Sequence, residues 1–279
     1  MENTVGIKID YLKERENPEQ IFIAMAHYIS AYKEFGELLA EATGYNFKYE
    51  LILKGIETGS IKAVLGSITN GFSSFLEKQS SEFLNDLIFT NEIISPEQVN
   101  DLAELQERRI EKENISISPY INRVSLAKIL QELSAANEML NPQEKAEIEN
   151  IKAEGSNVIN INTNMRFLGD PETMFDEHNP MKYRGKDCLD IIKPVNFGDA
   201  QWQVRSRTTH KTFMATIGHK DWLKKYQSGD LPIITAKHCM LVEIYYELDN
   251  KHKKLPIKKA IITKVLKLIP SSEVQDALL

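Results

Sequence analysis

The sequence predicts an α+β protein, with an N-terminal α/β unit, a helical middle and a small C-terminal domain resembling a β-barrel. Three observations predict this class. Residues 5–57 follow the order strand, helix, strand, and apolar residues in the middle recur at steps of three and four. The last part of the chain consists of short alternating segments separated by turn residues. We therefore predict an acidic domain over residues 1–155 and a basic domain over residues 156–279.

The first unit begins with an alternating segment, Val5–Tyr11, that predicts a strand. Asn17 can cap a helix and Pro18 suits its first turn, so a helix is predicted from there to about Thr43. A second strand is predicted from Asn46 to Glu57.

The segment after this strand changes its period. Gly59 supplies backbone freedom and Ser60 can cap the segment after it. The next apolar residues fit a helical face better than a strand: Ile61, Val64, Leu65 and Ile68.

Four further helices are predicted for the middle of the chain. They cover Phe72–Phe89 and Pro96–Glu113, a stretch that begins at Ser118-Pro119 and includes Leu140, and a short segment that begins at Asn141.

The C-terminal part predicts a small barrel or a curled sheet. Asp170 before Pro171 reads as a cap, and Lys220–Gln227 reads as one amphipathic helix. The predicted strands are Asn157–Arg166, Ile192–Asn196, Gln201–Arg207, Thr212–Ile217, Met240–Leu248 and Ile257–Leu268.

The net charge of −6 conceals an uneven distribution. Residues 181–269 contain 18 Lys and Arg against 8 Asp and Glu, so the other residues hold 16 of the 34 basic side chains and 32 of the 40 acidic ones. A basic unit is suited to nucleic acid or to an acidic partner. The alternatives are that the two halves attract each other, or that the lysines protect sheet edges.

Cysteine use and hydropathy bear on location. Cys188 and Cys239 are too few for a disulfide framework, and two buried free thiols are expected in preference to a single disulfide. No apolar run approaches the roughly 18 to 20 residues of a membrane helix, and the N-terminus lacks a signal-peptide pattern. The sequence predicts a cytoplasmic protein that does not contact membranes.

Candidate catalytic and metal sites are weak. Gly59-Ser60 is typical of a nucleotidyltransferase site, but residues 61–78 supply one acid, Glu77, and not the pair that holds magnesium. The histidines and cysteines of residues 188–239 lack metal-ligand spacing, and neither a G-x-S-x-G elbow nor a phosphate-binding loop occurs. We therefore assign no catalytic residue, metal or cofactor, and a non-enzymatic protein is favoured.

Basic residues of the C-terminal half are the candidate binding site, because Lys and Arg contact phosphates. Nearby aromatic residues, among them Trp202, Phe213, Trp222 and Tyr245, can stack on bases or fill the core of a barrel. The candidate contacts for nucleic acid or a partner are Arg205, Arg207, Lys211, Lys224, Lys225, Lys253, Lys254, Lys258 and Lys259.

Two groups of motifs carry a family resemblance. The first is Glu57-x-Gly59-Ser60-Ile61 after the segment PEQIFIAMAHYISAY. The second comprises Asn162–Pro171, Gln201-Trp202 and Asp221-Trp222-Leu223. Together they resemble an uncharacterised family of bacterial proteins with an E-x-G-S-I motif and a small QW…DWL β domain. The resemblance implies no catalytic residue, and it implies an accessory role in mobile elements or defence regions.

The sequence therefore favours a cytoplasmic binding or accessory protein that acts through macromolecular contacts, in bacterial phage defence or a mobile element. The expected partner is another protein or a second copy of the chain, and nucleic acid stays open. The alternative is a nucleic-acid-directed enzyme or effector whose basic domain positions DNA or RNA.

Overall fold

Helices and strands share the chain almost equally in the computed structural model of this protein. It describes residues 4–44, 51–57, 61–67, 72–113, 116–152, 155–175, 181–232, 234–235, 238–248, 257–270 and 273. The helices are α1 (Glu19–Ala42), α2 (Phe72–Asp86), α3 (Pro96–Glu111), α4 (Arg123–Glu138) and α5 (Lys220–Gln227). The strands are β1 (Thr4–Asp10), β2 (Leu51–Glu57), β3 (Ile61–Ser67), β4 (Glu92–Ile93), β5 (Lys145–Lys152), β6 (Gly155–Ile161), β7 (Arg166–Phe167), β8 (Met181–Lys193), β9 (Trp202–Ser206), β10 (Thr212–Ile217), β11 (His238–Leu248) and β12 (Ile257–Pro270).

The chain divides into two compact units. Met1–Leu39, Phe47–Gln106 and Ile121–Met174 form the first unit, and Ala40–Asn46, Glu107–Tyr120 and Phe175–Leu279 form the second. Strand β6 hydrogen-bonds along β5, so both belong to the sheet of the first unit.

A five-stranded antiparallel sheet organises the first unit, in the order β2-β3-β1-β5-β6. Central β1 pairs with β3 on one side and with β5 on the other. On one face of this sheet, Ile148 and Ile161 line an apolar cavity together with Tyr28 of α1, Phe83 of α2 and Ile129 of α4. The helices therefore pack on that face, and the core lies between them and the sheet.

Two segments that were expected to be helical are strands. Ile61–Ser67 pairs with β1 and β2, and Lys145–Lys152 pairs with β1 and β6. Ala63 and Ala146 are buried in these strands. Neighbours on both sides satisfy the backbone groups of each segment, so pairing in the sheet overrides local helical preference.

Three other boundaries differ from prediction or cannot be compared. α4 begins at Arg123 and not at Ser118, because the Asn122 side chain accepts a hydrogen bond from Ser125 N at 3.0 Å and caps the helix there. β8 begins at Met181, well before the strand that was predicted from Ile192. The Gly59-Ser60 segment lies outside the described residues.

Opposite charges pair on the polar face of the first sheet. Lys8 of β1 contacts Glu147 of β5 directly across the strands, with 2.8 Å between Nζ and Oε1. Lys62 of β3 lies opposite Lys8 and reaches diagonally over β1 to Glu149 of β5, which lies opposite Gly6, also at 2.8 Å. Because glycine has no side chain, β1 does not obstruct this second pair.

A buried ion pair fixes the chain that follows β1. The side chains of Arg15 and Glu144 are 5% and 0% exposed, and Arg15 Nη1 donates to Glu144 Oε2. The Glu144 carboxylate also accepts hydrogen bonds from Leu12 N at 3.1 Å and Asn141 N at 2.7 Å. Burial acts to raise the pKa of Glu144, but these N–H donors and Arg15 outweigh it and leave the pKa lowered.

The second unit is a closed five-stranded barrel in the cyclic order β10-β12-β11-β8-β9. Its neighbouring strands are antiparallel except for β10 and β12, which are parallel. α5 connects β10 to β11, as predicted, and buries Leu223 against the barrel core. The predicted α+β class and its small C-terminal barrel are confirmed. Among the described helices, none has the length and hydropathy needed to cross a membrane.

A disulfide links β8 to β11. Cys188 and Cys239, expected as free thiols, are bonded to each other, with 6.1 Å between their Cα atoms. The two strands pair side by side in the barrel wall, which brings these Cα atoms within the range that a disulfide spans. Ile117 and Ile269 bury the pair.

Candidate nucleic-acid interface

Three of the predicted basic residues converge at the turn between β9 and β10. Arg205 is exposed on β9 and lies opposite Thr212 of β10, and Lys211 is exposed just before β10. The backbone closes this turn, since Ser206 N donates to Lys211 O at 3.0 Å. Neither Arg205 nor Lys211 forms an ion pair with the described residues. The turn therefore presents two cations to solvent.

Arg207, the third residue of this group, is held by a carboxylate. Its Nε and Nη2 atoms lie 2.8 Å and 2.7 Å from Asp190 Oδ1 on β8. Half-buried His210 stands beside them with a φ of 53°. Burial lowers the pKa of His210, as do Arg205 and Lys211, while Asp190 raises it. The imidazole is therefore neutral at pH 7 and adds no charge to the turn.

The other predicted cations lie elsewhere. Lys224 and Lys225 are exposed on α5, which follows the far end of β10. The six residues of β10 separate them from the β9–β10 turn by roughly 20 Å. Lys258 and Lys259 are exposed at the start of β12. Lys253 and Lys254 lie outside the described residues.

The aromatic residues separate into core and surface groups. Trp202, Phe213 and Tyr246 are buried inside the barrel. Trp222 and Tyr226 of α5 stack with 5.7 Å between ring centroids, and both are only partly exposed. On the surface, Phe197 is 85% exposed in the loop before β9, and Met214 is 46% exposed on β10. These two exposed side chains were not assigned from the sequence, which could not separate them from core residues.

A buried carboxyl group lies inside the barrel near the same turn. Asp187 of β8 is fully buried, and Thr208 Oγ1 donates to its Oδ1 at 2.8 Å. Burial raises the pKa of Asp187 from its ordinary 3.8 to about 6, against hydrogen bonds from Ser206 and Thr208 that lower it. Its partners are hydroxyl and backbone groups, so no cation offsets the cost of burying its charge.

Five exposed cations on the barrel wall were missed from the sequence. Lys182, Arg184 and Lys186 point outward from β8, and Lys264 and Lys267 from β12. The segment Met181–Lys186 alternates cations with Tyr183 and Gly185, and this period of two would have identified the strand and its outward row. We call the outward side of β8, β11 and β12, over 182–186, 243–247 and 258–267, the cation-row face.

Metal chemistry has no support in the described part of the chain, where no group of three or more His, Cys, Asp and Glu side chains is arranged to hold an ion. No family model matches the chain, and neither does any curated protein or solved structure. The site therefore stands on its geometry, and the resemblance to the bacterial family stays a prediction.

Proposed function

We propose that this protein binds single-stranded nucleic acid along β9 and β10 of its barrel. The observation that carries the proposal is the convergence of Arg205, Arg207 and Lys211 on one turn of these strands. Arg207 is oriented by Asp190, and the other two form no ion pair with the described chain. The positive charges of Arg205 and Lys211 are therefore available for phosphate contacts.

The arrangement of the strands also supports binding along β9 and β10. Counted from β8, β9 and β10 are the second and third strands of a closed five-stranded barrel with one helix before its fourth strand. Five-stranded barrels of the oligonucleotide- and oligosaccharide-binding fold use the face of their second and third strands. This likeness is one of strand arrangement, and it is an analogy at the level of the fold.

Exposed apolar side chains near β9 and β10 would supply the contacts to bases. Phe197 precedes β9 and the cationic turn follows it, so the five residues of β9 span about 17 Å between them. That length accommodates several nucleotides, with bases against Phe197 and Met214 and phosphates at the turn.

The test is fluorescence anisotropy with a 5′-labelled single-stranded oligonucleotide and with an abasic oligomer of the same length. Arg205→Glu/Lys211→Glu should weaken binding about tenfold or more at low salt. Phe197→Ala should reduce the preference for the oligonucleotide over the abasic oligomer, because base stacking contributes about 1–3 kcal/mol per base. Lys224→Glu/Lys225→Glu changes the net charge equally on α5 and serves as the control. Equal affinities of all variants for the oligonucleotide would contradict the proposal.

A wider role in bacterial phage defence or a mobile element is part of the proposal, and the family resemblance is what supports it. The alternative is a nucleic-acid-directed enzyme, and one measurement distinguishes it from a binding protein. Cleavage of the bound oligonucleotide on addition of Mg²⁺ or Mn²⁺ would favour the enzyme.

A further inference from the structure

We infer that the cation-row face is a second anion-binding surface, which takes a phosphodiester backbone without reading its bases. It lies on strands other than β9 and β10, and it does not depend on the binding proposed for the β9–β10 turn. The inference rests on the arrangement of charge across three neighbouring strands.

The first row of the cation-row face is on β8. Lys182, Arg184 and Lys186 alternate with inward residues, and all three are exposed. None of them forms an ion pair with the described part of the chain. Positions two residues apart on a strand are about 6.7 Å apart, so this row is a regular ladder of positive charges.

A second row follows β12. Lys258, Lys264 and Lys267 are exposed there, and the register places them opposite Glu247, Glu243 and Leu241 of β11. The rows on β8 and β12 flank β11 on its two sides, so about 10 Å separates them. A regularly spaced row of cations on β8 and a less regular row on β12 therefore border one central strand.

The central strand carries too few carboxylates to neutralise both rows. Glu243 lies opposite Lys186 and Glu247 lies opposite Lys182, with Tyr245 between them. A β-bulge gives Lys259 a φ of 52°, and its Nζ lies 3.0 Å from Glu247 Oε2. Among the described residues, this face holds two carboxylates and seven cations, which are Lys182, Arg184, Lys186, Lys258, Lys259, Lys264 and Lys267.

The chemistry of the face favours phosphates over an acidic protein. Six of its seven cations are lysines, which contact phosphates as point charges and are depleted from protein–protein interfaces. The exposed apolar residues Ile261 and Leu266 stand apart on β12 and form no compact anchor. The regular spacing along β8 suits a polymer that repeats its charge, and successive phosphates are such a repeat.

The barrel order places the cation-row face and the β9–β10 turn on different strands, with β8 next to β9 and β12 next to β10 at the edges of the face. β11 is the middle strand of the cation-row face, and neither β9 nor β10 is its neighbour. The probe is an abasic phosphodiester oligomer, because it offers charge without bases, and variants on β8 and at the β9–β10 turn separate the contributions of the two surfaces.

The experiment measures the affinity of the labelled abasic oligomer between about 50 and 200 mM salt. For Lys182→Gln/Arg184→Gln/Lys186→Gln, the slope of log affinity against log salt should become shallower by about 2, since each contact to a single strand contributes about 0.7. The control is Lys128→Gln/Lys224→Gln/Lys225→Gln, which removes the same charge elsewhere and should keep the original slope. Thermal unfolding checks that the variants fold.

Two results would overturn the inference. One is an unchanged slope and affinity in the folded β8 variant. The other is displacement of the abasic oligomer by poly-glutamate at equal charge concentration, which would identify an acidic polypeptide as the occupant. If the first result came with loss of binding in Arg205→Glu/Lys211→Glu, phosphate binding would belong to the β9–β10 turn alone.

Discussion

Outward charges are paired on the first sheet of this protein, whereas cations outnumber carboxylates on one face of the barrel. On the first sheet, Lys8 and Lys62 each meet a glutamate of β5 at 2.8 Å. On the barrel, β8 and β12 carry rows of cations around a strand with two carboxylates. The acidic balance of the first part of the sequence and the basic balance of the second thus correspond to different surfaces. Paired charges stabilise a sheet, whereas surplus charge of one sign favours a charged partner.

The buried carboxyl groups repeat this contrast. Glu144 meets Arg15 and two backbone N–H donors, and its pKa is lowered. Asp187 meets hydroxyl and backbone groups inside the barrel, and burial raises its pKa to about 6. The free energy of unfolding therefore depends on pH in opposite directions at the two groups. Glu144 stabilises above its ordinary pKa of 4.5, and that stability is lost as the pH falls through its lower folded pKa.

The largest expected effect is the removal of Arg15. Arg15→Ala leaves the Glu144 carboxylate buried without its cation, so the free energy of unfolding at pH 7 should fall by about 3–5 kcal/mol. Lys33→Ala is the matched control, because Lys33 and Glu37 are exposed and 4.0 Å apart, and it should cost less than about 1 kcal/mol. Urea denaturation measures both. Equal losses would remove the distinction between buried and surface pairs.

Reduction of the disulfide ranks next. Cys188 and Cys239 are 51 residues apart in sequence, and opening a loop of this size should cost about 2–4 kcal/mol. Urea denaturation with and without a dithiol reductant measures the loss. The variant Cys188→Ser/Cys239→Ser should have the stability of the reduced protein both with and without reductant. A wild-type protein whose stability does not change on addition of reductant would contradict the presence of the disulfide.

Asp187→Asn should make the protein more stable at pH 7. Because the folded pKa is raised, the wild-type carboxyl contributes its full stability below its ordinary pKa of 3.8 and loses it as the pH rises through about 6. The difference between 3.8 and about 6 corresponds to about 3 kcal/mol. The stability gap between variant and wild type should grow across this window. A gap that does not change across this window would contradict a raised pKa for Asp187 in the folded protein.

The smallest effects compare the two polar sheet faces directly. Lys62→Gln removes a pair with Glu149 whose side chains are 13% and 15% exposed, and it should cost about 1 kcal/mol. Lys264→Gln on the cation-row face should change stability by less than about 0.5 kcal/mol. Similar losses at both positions would mean that the barrel charges are structural as well.

Much of the fold follows from patterns in the sequence. Helix α5 and strands β10, β11 and β12 follow from period and turn residues. β3 and β5 do not, because their strand state depends on pairing with β1, which lies far away in sequence from β5. The disulfide likewise depends on the pairing of β8 with β11. Local patterns do not contain these contacts.

The candidate site could be predicted only in part. Arg205, Arg207 and Lys211 are close in sequence, and one turn brings them together. The row of Lys182, Arg184 and Lys186 is legible as an alternation once β8 is recognised as a strand. That this row lies near Lys264 and Lys267 can be known only from the barrel order, which places β11 between β8 and β12.

The central claim is that surplus positive charge on the barrel binds phosphates while paired charge on the first sheet does not. The most direct measurement is lysine acetylation footprinting by mass spectrometry, with and without the abasic oligomer. The account predicts protection of Lys182, Lys186, Lys264 and Lys267 that is lost at high salt, with unchanged labelling of the paired lysines of the first sheet, Lys8 and Lys62. Equal labelling of the barrel lysines with and without the oligomer, under conditions where it binds, would contradict it.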